Sequence, residues 1–101
     1  MLKHIVFFRL ADEAEGKTKN ENARIMKEQL ENLIHHIPVL RKIEVGINSV
    51  EAPQDNYDIV LYSEFDSWVD LDIYQKHPEH QKVLAFISKV RIARAAVDYE
   101  I

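Results

Sequence analysis

Residues Leu2 to Leu10 fall into two alternating rows, with His4, Val6, Phe8 and Leu10 on one side and Lys3, Ile5, Phe7 and Arg9 on the other. Successive side chains of a strand point to opposite faces, so this β-branched and aromatic run predicts a strand. Ala11 to Lys17 is charged and contains Gly16, which predicts a loop. From Thr18 the period lengthens. Ala23, Met26, Leu30, Leu33, Ile34 and Ile37 recur three and four residues apart, the stripe of a half-buried helix. Thr18 and Glu21 have capping-box spacing and mark its start, and Pro38 marks its end.

Val39 to Val50 returns to alternation, with Val39, Ile43, Val45 and Ile47 opposed to Lys42, Glu44 and Asn48. Glu51 to Asn56, which holds Pro53, reads as a turn. Tyr57 to Phe65 predicts a third strand, with Ile59, Leu61 and Phe65 on one face and Asp58, Val60, Tyr62 and Glu64 on the other. Ser67 and Asp70 repeat the cap spacing and start a helix that runs through about Lys76. Past the His77–Pro78 break, Val83, Phe86, Ile87 and Val90 form another helical stripe. Arg91 to Ile101 closes the chain as a fourth strand, with Ile92, Ala96, Val97 and Tyr99 as its apolar content. Strand, helix, strand, strand, helix, strand is the split β-α-β order of a ferredoxin-like α+β domain. Both helices are expected on one face of an antiparallel sheet.

Such a sheet is roofed on one side only. Its other side is expected to carry Val60, Tyr62, Ala96 and one row of the first strand, a mixture apolar enough to seek a partner. The simplest partner is a second copy related by a twofold axis. Two such sheets stacked face to face make a dimeric α+β barrel with the helices outside, and Glu44, Glu64, Arg94 and Asp98 would then pair across or along the sheets. The alternative is a monomer with one wet sheet face, which antiparallel sheets tolerate.

Composition acts mainly by exclusion. A chain of 101 residues predicts one domain, 1–101, with a modest core that association would enlarge. The net charge is −4 with acids and bases interleaved, and no Lys/Arg-rich run offers a footprint for nucleic acid or an anionic membrane. No apolar run approaches the roughly 20 residues that span a bilayer, and the N-terminal segment lacks the pattern of a secretory signal. There is no cysteine, which removes disulfides and thiolate chemistry; a cytoplasmic location is expected. Gly16 and Gly46 are the only glycines, so a phosphate-cradling loop and a nucleophile elbow are both lacking.

The densest chemistry lies in Tyr74-Gln75-Lys76-His77-Pro78-Glu79-His80. Proline interrupts the helix and pushes His77 toward extended backbone, which holds both imidazoles near Tyr74. Imidazoles titrate near neutral pH, so the cluster can move protons. A metal is not expected, because the His-Pro-Glu-His segment lacks the spacing of two-histidine helix motifs and further ligands. The plainer role for His77 is to cap the broken helix by bonding its free carbonyls. His80 starts the next helical segment, where a neutral imidazole beside the Tyr74 phenol either accepts its proton or makes a structural hydrogen bond. His4 is either solvated at a strand start or, on the helix-covered face, set in a cavity beside the second helix. His35 and His36 end the first helix and suit its C-terminal dipole. Trp68 and Tyr74 read as packing residues in preference to a cofactor box.

Lys3-His4-Ile5-Val6, Ile37-Pro38, Gly46, Tyr57-Asp58, and Phe65-Asp66-Ser67 followed by Tyr74-x-x-His77-Pro78-x-His80 together resemble the stress-responsive dimeric A/B barrel (Dabb) family. The resemblance covers essentially the whole chain, and the tyrosine-to-His-Pro-x-His segment is its most specific part. It implies a ferredoxin-like subunit, a homodimer through the sheet face, a link to stress responses, and no metal or organic cofactor. A plant polyketide cyclase of this family performs an aldol cyclisation. Its catalytic tyrosine and histidine match Tyr74 and His80, and its pocket histidine matches His4. By that likeness Tyr74 orients the substrate or polarises its carbonyl, and His80 is the general base that removes a proton from the neighbouring carbon. Three functions therefore stand open. The first is a small dimeric domain that binds a small organic molecule in a cavity between sheet and helices. The second is a cofactor-free lyase or cyclase with His80 as base. The third is a cofactor-independent monooxygenase of the related antibiotic-biosynthesis type. The enzyme readings require an open cavity reached by both Tyr74 and His80.

Overall fold

The computed structural model describes residues 1–101. Its elements are β1 (Leu2–Leu10), β2 (Glu13–Ala14), β3 (Lys17–Thr18), α1 (Lys19–Asn32) with a 3₁₀ turn over Leu33–His35, β4 (Lys42–Ile47), β5 (Ile59–Phe65), α2 (Trp68–Lys76), α3 (Pro78–Val90) and β6 (Arg91–Glu100). The main sheet has the order β4-β5-β1-β6 and every neighbouring pair is antiparallel. This is the expected ferredoxin-like arrangement. No helix is long and apolar enough to cross a membrane.

Local signals set most boundaries. Thr18 caps α1 with the full reciprocal box: its Oγ1 accepts from the Glu21 amide at 3.2 Å, and Glu21 Oε1 accepts from the Thr18 amide at 3.0 Å. Ser67 caps α2 through the Asp70 amide. The segment expected as a loop folds instead into the β2–β3 hairpin, turning on Glu15 and Gly16 at positive φ of 52° and 73°. Two residues with φ above zero form the tight turn that matches strand twist, and glycine adopts it without strain. Asn22, buried although polar, donates to the Ala14 carbonyl at 3.0 Å and ties this hairpin to α1. β4 is shorter than the Val39–Val50 alternation suggests, because the Pro38–Leu40 stretch turns instead to tuck Leu40 into the core.

One core fills the space between sheet and helices. Leu2, Val6, Phe8 and Leu10 of β1 and Ile59, Leu61 and Phe65 of β5 meet Ala23, Met26, Leu30 and Leu33 from the first helix. Ile34 departs from the expected stripe and stays 36% exposed. The tighter 3₁₀ turn there rotates its side chain off the buried face. From α3, Val83, Ile87 and Val90 are buried as expected, with Phe86 half-buried against them.

Strand register corrects the reading of the two sheet faces. Residues directly opposite each other on antiparallel strands share a face. β1 pairs with β6 as Val6↔Ala96, His4↔Asp98 and Phe8↔Arg94, so Ala96, Arg94 and Asp98 lie on the helix side, not on the uncovered face. The uncovered face instead carries Ala93, Ala95, Val97 and Tyr99 opposite Arg9, Phe7, Ile5 and Lys3. Glu64 does not wait for a partner sheet. It bonds Lys3 at 2.6 Å and accepts from the Tyr62 hydroxyl at 2.6 Å. The Lys3 ammonium and the Tyr62 phenol hold the Glu64 carboxyl below the ordinary carboxylate range.

Candidate active site

The His77–Pro78 break places the site. His77 is extended (φ −63°, ψ 136°), as a residue before proline must be, and it joins the end of α2 to the start of α3. Its side chain does not bond free carbonyls of α2. Nδ1 accepts from the Glu79 amide at 3.1 Å, which caps the N-terminus of α3. A carbonyl-bonding role fails because the ring folds forward, where free amides need an acceptor.

His80 sits in the first turn of α3 and is 7% exposed. Its Nδ1 lies 3.1 Å from the Gln75 carbonyl oxygen. A carbonyl only accepts, so Nδ1 carries the proton and Nε2 holds a free lone pair in the neutral ring. Burial lowers the pKa of this imidazole; the Gln75 hydrogen bond opposes that, and the neighbouring His4 and His77 add to it. His80 is therefore a neutral base near pH 7.

Tyr74 is wholly buried, and its ring packs on that of His80 with centroids 4.4 Å apart. The two residues named from sequence are thus brought together, but as rings tilted by 48° and not through a hydroxyl–imidazole bond. The Tyr74 hydroxyl has no hydrogen-bond partner, and burial raises its pKa. Phe65 continues the row of rings, tilted against Tyr74 with centroids 5.0 Å apart and edge-on to His4 with centroids 6.5 Å apart. These aromatic contacts fix both imidazoles against one wall.

His4 lies on the helix-covered face and is 4% exposed, the second of the two positions open to it from sequence. Its Nδ1 is 2.5 Å from Asp98 Oδ1 across the β1–β6 pair. The carboxylate accepts, so Nδ1 donates and Nε2 is left without a partner. Sequence reasoning placed Asp98 only among the charges that pair across or along the sheets and missed its bond to His4, 94 residues away.

A cavity of about 430 Å³ opens between sheet and helices, and its polar wall is His4, Gln75, His80, Gln81, Arg91 and Arg94. Tyr74 is not among its lining residues. A larger hollow of about 650 Å³ lies by Phe7, Arg9, Tyr57 and Val60, toward the uncovered face, and no histidine lines it. No group of three or more His, Asp or Glu side chains converges as a metal site. The chemistry therefore gathers at the smaller cavity, where two imidazoles with bound Nδ1 atoms can pass a proton to or from one small molecule.

Two measurements follow from this geometry. Because the folded pKa of His80 lies below the ordinary 6.5, the unfolded chain binds its proton more readily. The associated stability is full above about pH 6.5 and is lost as pH falls from there toward the lower folded value. Thermal melts from about pH 8 down to pH 5 should show this acid-side loss, and His80→Gln should flatten it. Tyr74→Phe removes a buried hydroxyl that has no partner. It should raise stability by about 1 kcal/mol, or roughly 4–8 °C in melting temperature for a domain near this size. An unchanged or lower melting temperature would mean that the hydroxyl is satisfied in solution.

The sequence profile described as Stress responsive A/B Barrel Domain matches residues 2–101. Among solved structures, a dimeric protein of unknown function with a ferredoxin-like fold from Bacteroides fragilis is 41% identical, with a TM-score of 0.88 over 99% of this chain and 95% of that one. A dimeric ferredoxin-like protein of unknown function from Thermobifida fusca is 26% identical, with a TM-score of 0.83 over 99% of this chain and 90% of that one. A hydroxynitrile lyase from Passiflora edulis shares the fold at 18% identity and a TM-score of 0.78, over 99% of this chain and 92% of that one. No match is found among curated proteins.

Proposed function

This chain belongs to the stress responsive A/B barrel family, and on that premise we propose that it binds a small organic carbonyl compound in the cavity between sheet and helices and moves a proton on it, with His80 as general base. The observation that carries this reading is the pair of imidazoles on one cavity wall, each with Nδ1 engaged and Nε2 free. In the step, the C–H bond beside the carbonyl breaks and its proton goes to His80 Nε2. The electron pair moves onto the carbonyl oxygen, giving an enolate. The His80 imidazolium exchanges that proton with solvent and returns one to the same carbon, which restores the carbonyl, while His4, oriented by Asp98, holds its ring at the other end of the cavity. Tyr74 is a positioning residue that braces the His80 ring. Such proton transfer needs no cofactor, and a hydroxynitrile lyase among the fold neighbours supports lyase chemistry as one that this fold accommodates.

A binding domain without catalysis is the second reading. It is favoured by one observation, that Tyr74 does not reach the cavity. The monooxygenase reading draws support from fold alone, through neighbours 17% and 15% identical. For assembly, we infer a homodimer through the uncovered sheet face. The half-buried Ile5, Phe7 and Val60 with the exposed Val97 support it, as do dimeric relatives of the same fold. A cytoplasmic setting is proposed from the lack of cysteine.

The test is solvent-deuterium exchange into cyclohexanone near neutral pH, followed by NMR. The protein should exceed the rate given by an equal concentration of free imidazole. A rate equal to imidazole, together with unshifted His80 and His4 ring signals, removes the catalytic reading.

A further inference from the structure

The cavity also holds a signal that acid–base chemistry does not use. Arg91 and Arg94 line it, and no carboxylate does. In a regular strand, residues three apart face opposite ways. Here the register shifts between Arg9 and Leu10, so that Leu10 pairs with Arg91, Arg9 with Ala93 and Phe8 with Arg94. Ile92 is the extra residue of this bulge. The bulge turns both guanidinium-bearing residues to the helix side, the kind of re-aiming for which bulges recur beside functional sites.

Neither guanidinium has a partner. The arginine side chains that form hydrogen bonds or ion pairs are Arg9 and Arg41 alone. Asp98, the nearby acid on the same strand face, is engaged by His4. Two unpaired positive groups with no acid among the lining residues give this cavity a positive wall in a chain of net charge −4. Between the arginines and the imidazoles the wall is apolar, built by Val6, Leu30, Leu61 and Ile87. Phe8 and Arg94 lie four residues along the sheet from His4 and Asp98, roughly 13 Å of strand.

We propose that the ligand of this cavity is an organic carboxylate with an apolar body, an oxo acid whose carboxylate is held by Arg94 and Arg91 while its carbonyl end lies at His80. The proposal rests on the cavity reading above and names the class of molecule that this site takes. The planar fork of a guanidinium matches a carboxylate through two parallel hydrogen bonds, and an unpaired arginine at a cavity wall gives that match without first breaking another. The apolar stretch fits the hydrocarbon between the two ends.

The test compares octanoate with octanamide, which keeps the chain and removes the charge. Each is titrated into the whole protein while the ring signals of His80 and His4 are followed by NMR. Octanoate should bind at least about tenfold tighter than octanamide. Arg94→Gln combined with Arg91→Gln should erase that preference, while Arg24→Gln, an exposed arginine on α1, should keep it. Both cavity arginines are solvent-exposed, so the double variant should keep its fold, which circular dichroism checks. If octanamide binds as well as octanoate, the arginine assignment falls and the cavity reading stands. If the double variant keeps the preference, the assignment falls likewise. If neither probe moves the histidine signals, both readings fall. Inorganic phosphate displacing octanoate at equal concentration would overturn the carboxylate class in favour of a general anion site.

Discussion

His80→Ala is expected to lower deuterium exchange into cyclohexanone by about 10²–10⁴-fold, the usual contribution of a positioned general base. The large effect follows from the placement of the reacting carbon–hydrogen bond at His80 in the proposed step. His80 Nδ1 is tied to the Gln75 carbonyl, so only Nε2 is free to accept a proton. His4 remains in the variant with Nε2 free, but it stands at the far end of the row of rings that runs through Phe65 and Tyr74 to residue 80, away from the reacting carbon. The structural cost should be contained. The Gln75 carbonyl keeps the donation from Gln81 Nε2 at 2.6 Å, so removing the imidazole does not orphan it. Pro78 and the His77 cap still start α3. Exchange that is unchanged in a folded His80→Ala protein would place the base elsewhere. A variant that fails to fold would assign His80 to structure, and His80→Gln would then separate the two roles.

Phe7→Asp is expected to convert the dimer to a monomer. By light scattering at micromolar concentration, the wild-type protein should have twice the 11.8 kDa chain mass and the variant the single mass. Phe7 lies on the uncovered face, opposite Val60 on one neighbour strand and Ala95 on the other. A twofold interface buries each changed residue twice. An unpaired carboxylate left in such an interface costs about 3–5 kcal/mol, enough to weaken association by at least a hundredfold. The subunit core should survive, because Leu2, Val6, Phe8 and Leu10 on the opposite side of β1 build it. A wild-type monomer at that concentration would remove the barrel. A variant that stays dimeric would move the contact to another surface.

These two predictions draw on different depths of information. The His80 prediction begins with a motif visible in the chain, since proline, histidine and tyrosine at that spacing announce a helix break with rings around it. Yet the motif alone left open whether His80 bonds the Tyr74 hydroxyl. The rings pack at a tilt instead, and the proton of Nδ1 goes to Gln75, because the break folds α3 back over the last turn of α2. The same folding sends the His77 ring forward to an amide rather than back to a carbonyl. Direction across a break is set by three-dimensional packing, which no spacing encodes.

The alternation of Leu2–Leu10, the stripe through Ala23, Met26 and Leu30, and the caps at Thr18 and Ser67 were determined by the chain alone, as was the order of the helices and the strands of the main sheet. Each depends on neighbours within about four residues, where propensity and periodicity act. The pairing of His4 with Asp98, the turning of Arg91 and Arg94 to one side, and the transfer of Ala96 from the open face to the covered one were decided only by tertiary structure. All three follow from how β6 registers against β1 and where its bulge falls. A one-residue change in register reverses every side chain on a strand, so the composition of each face is fixed only when distant strands meet.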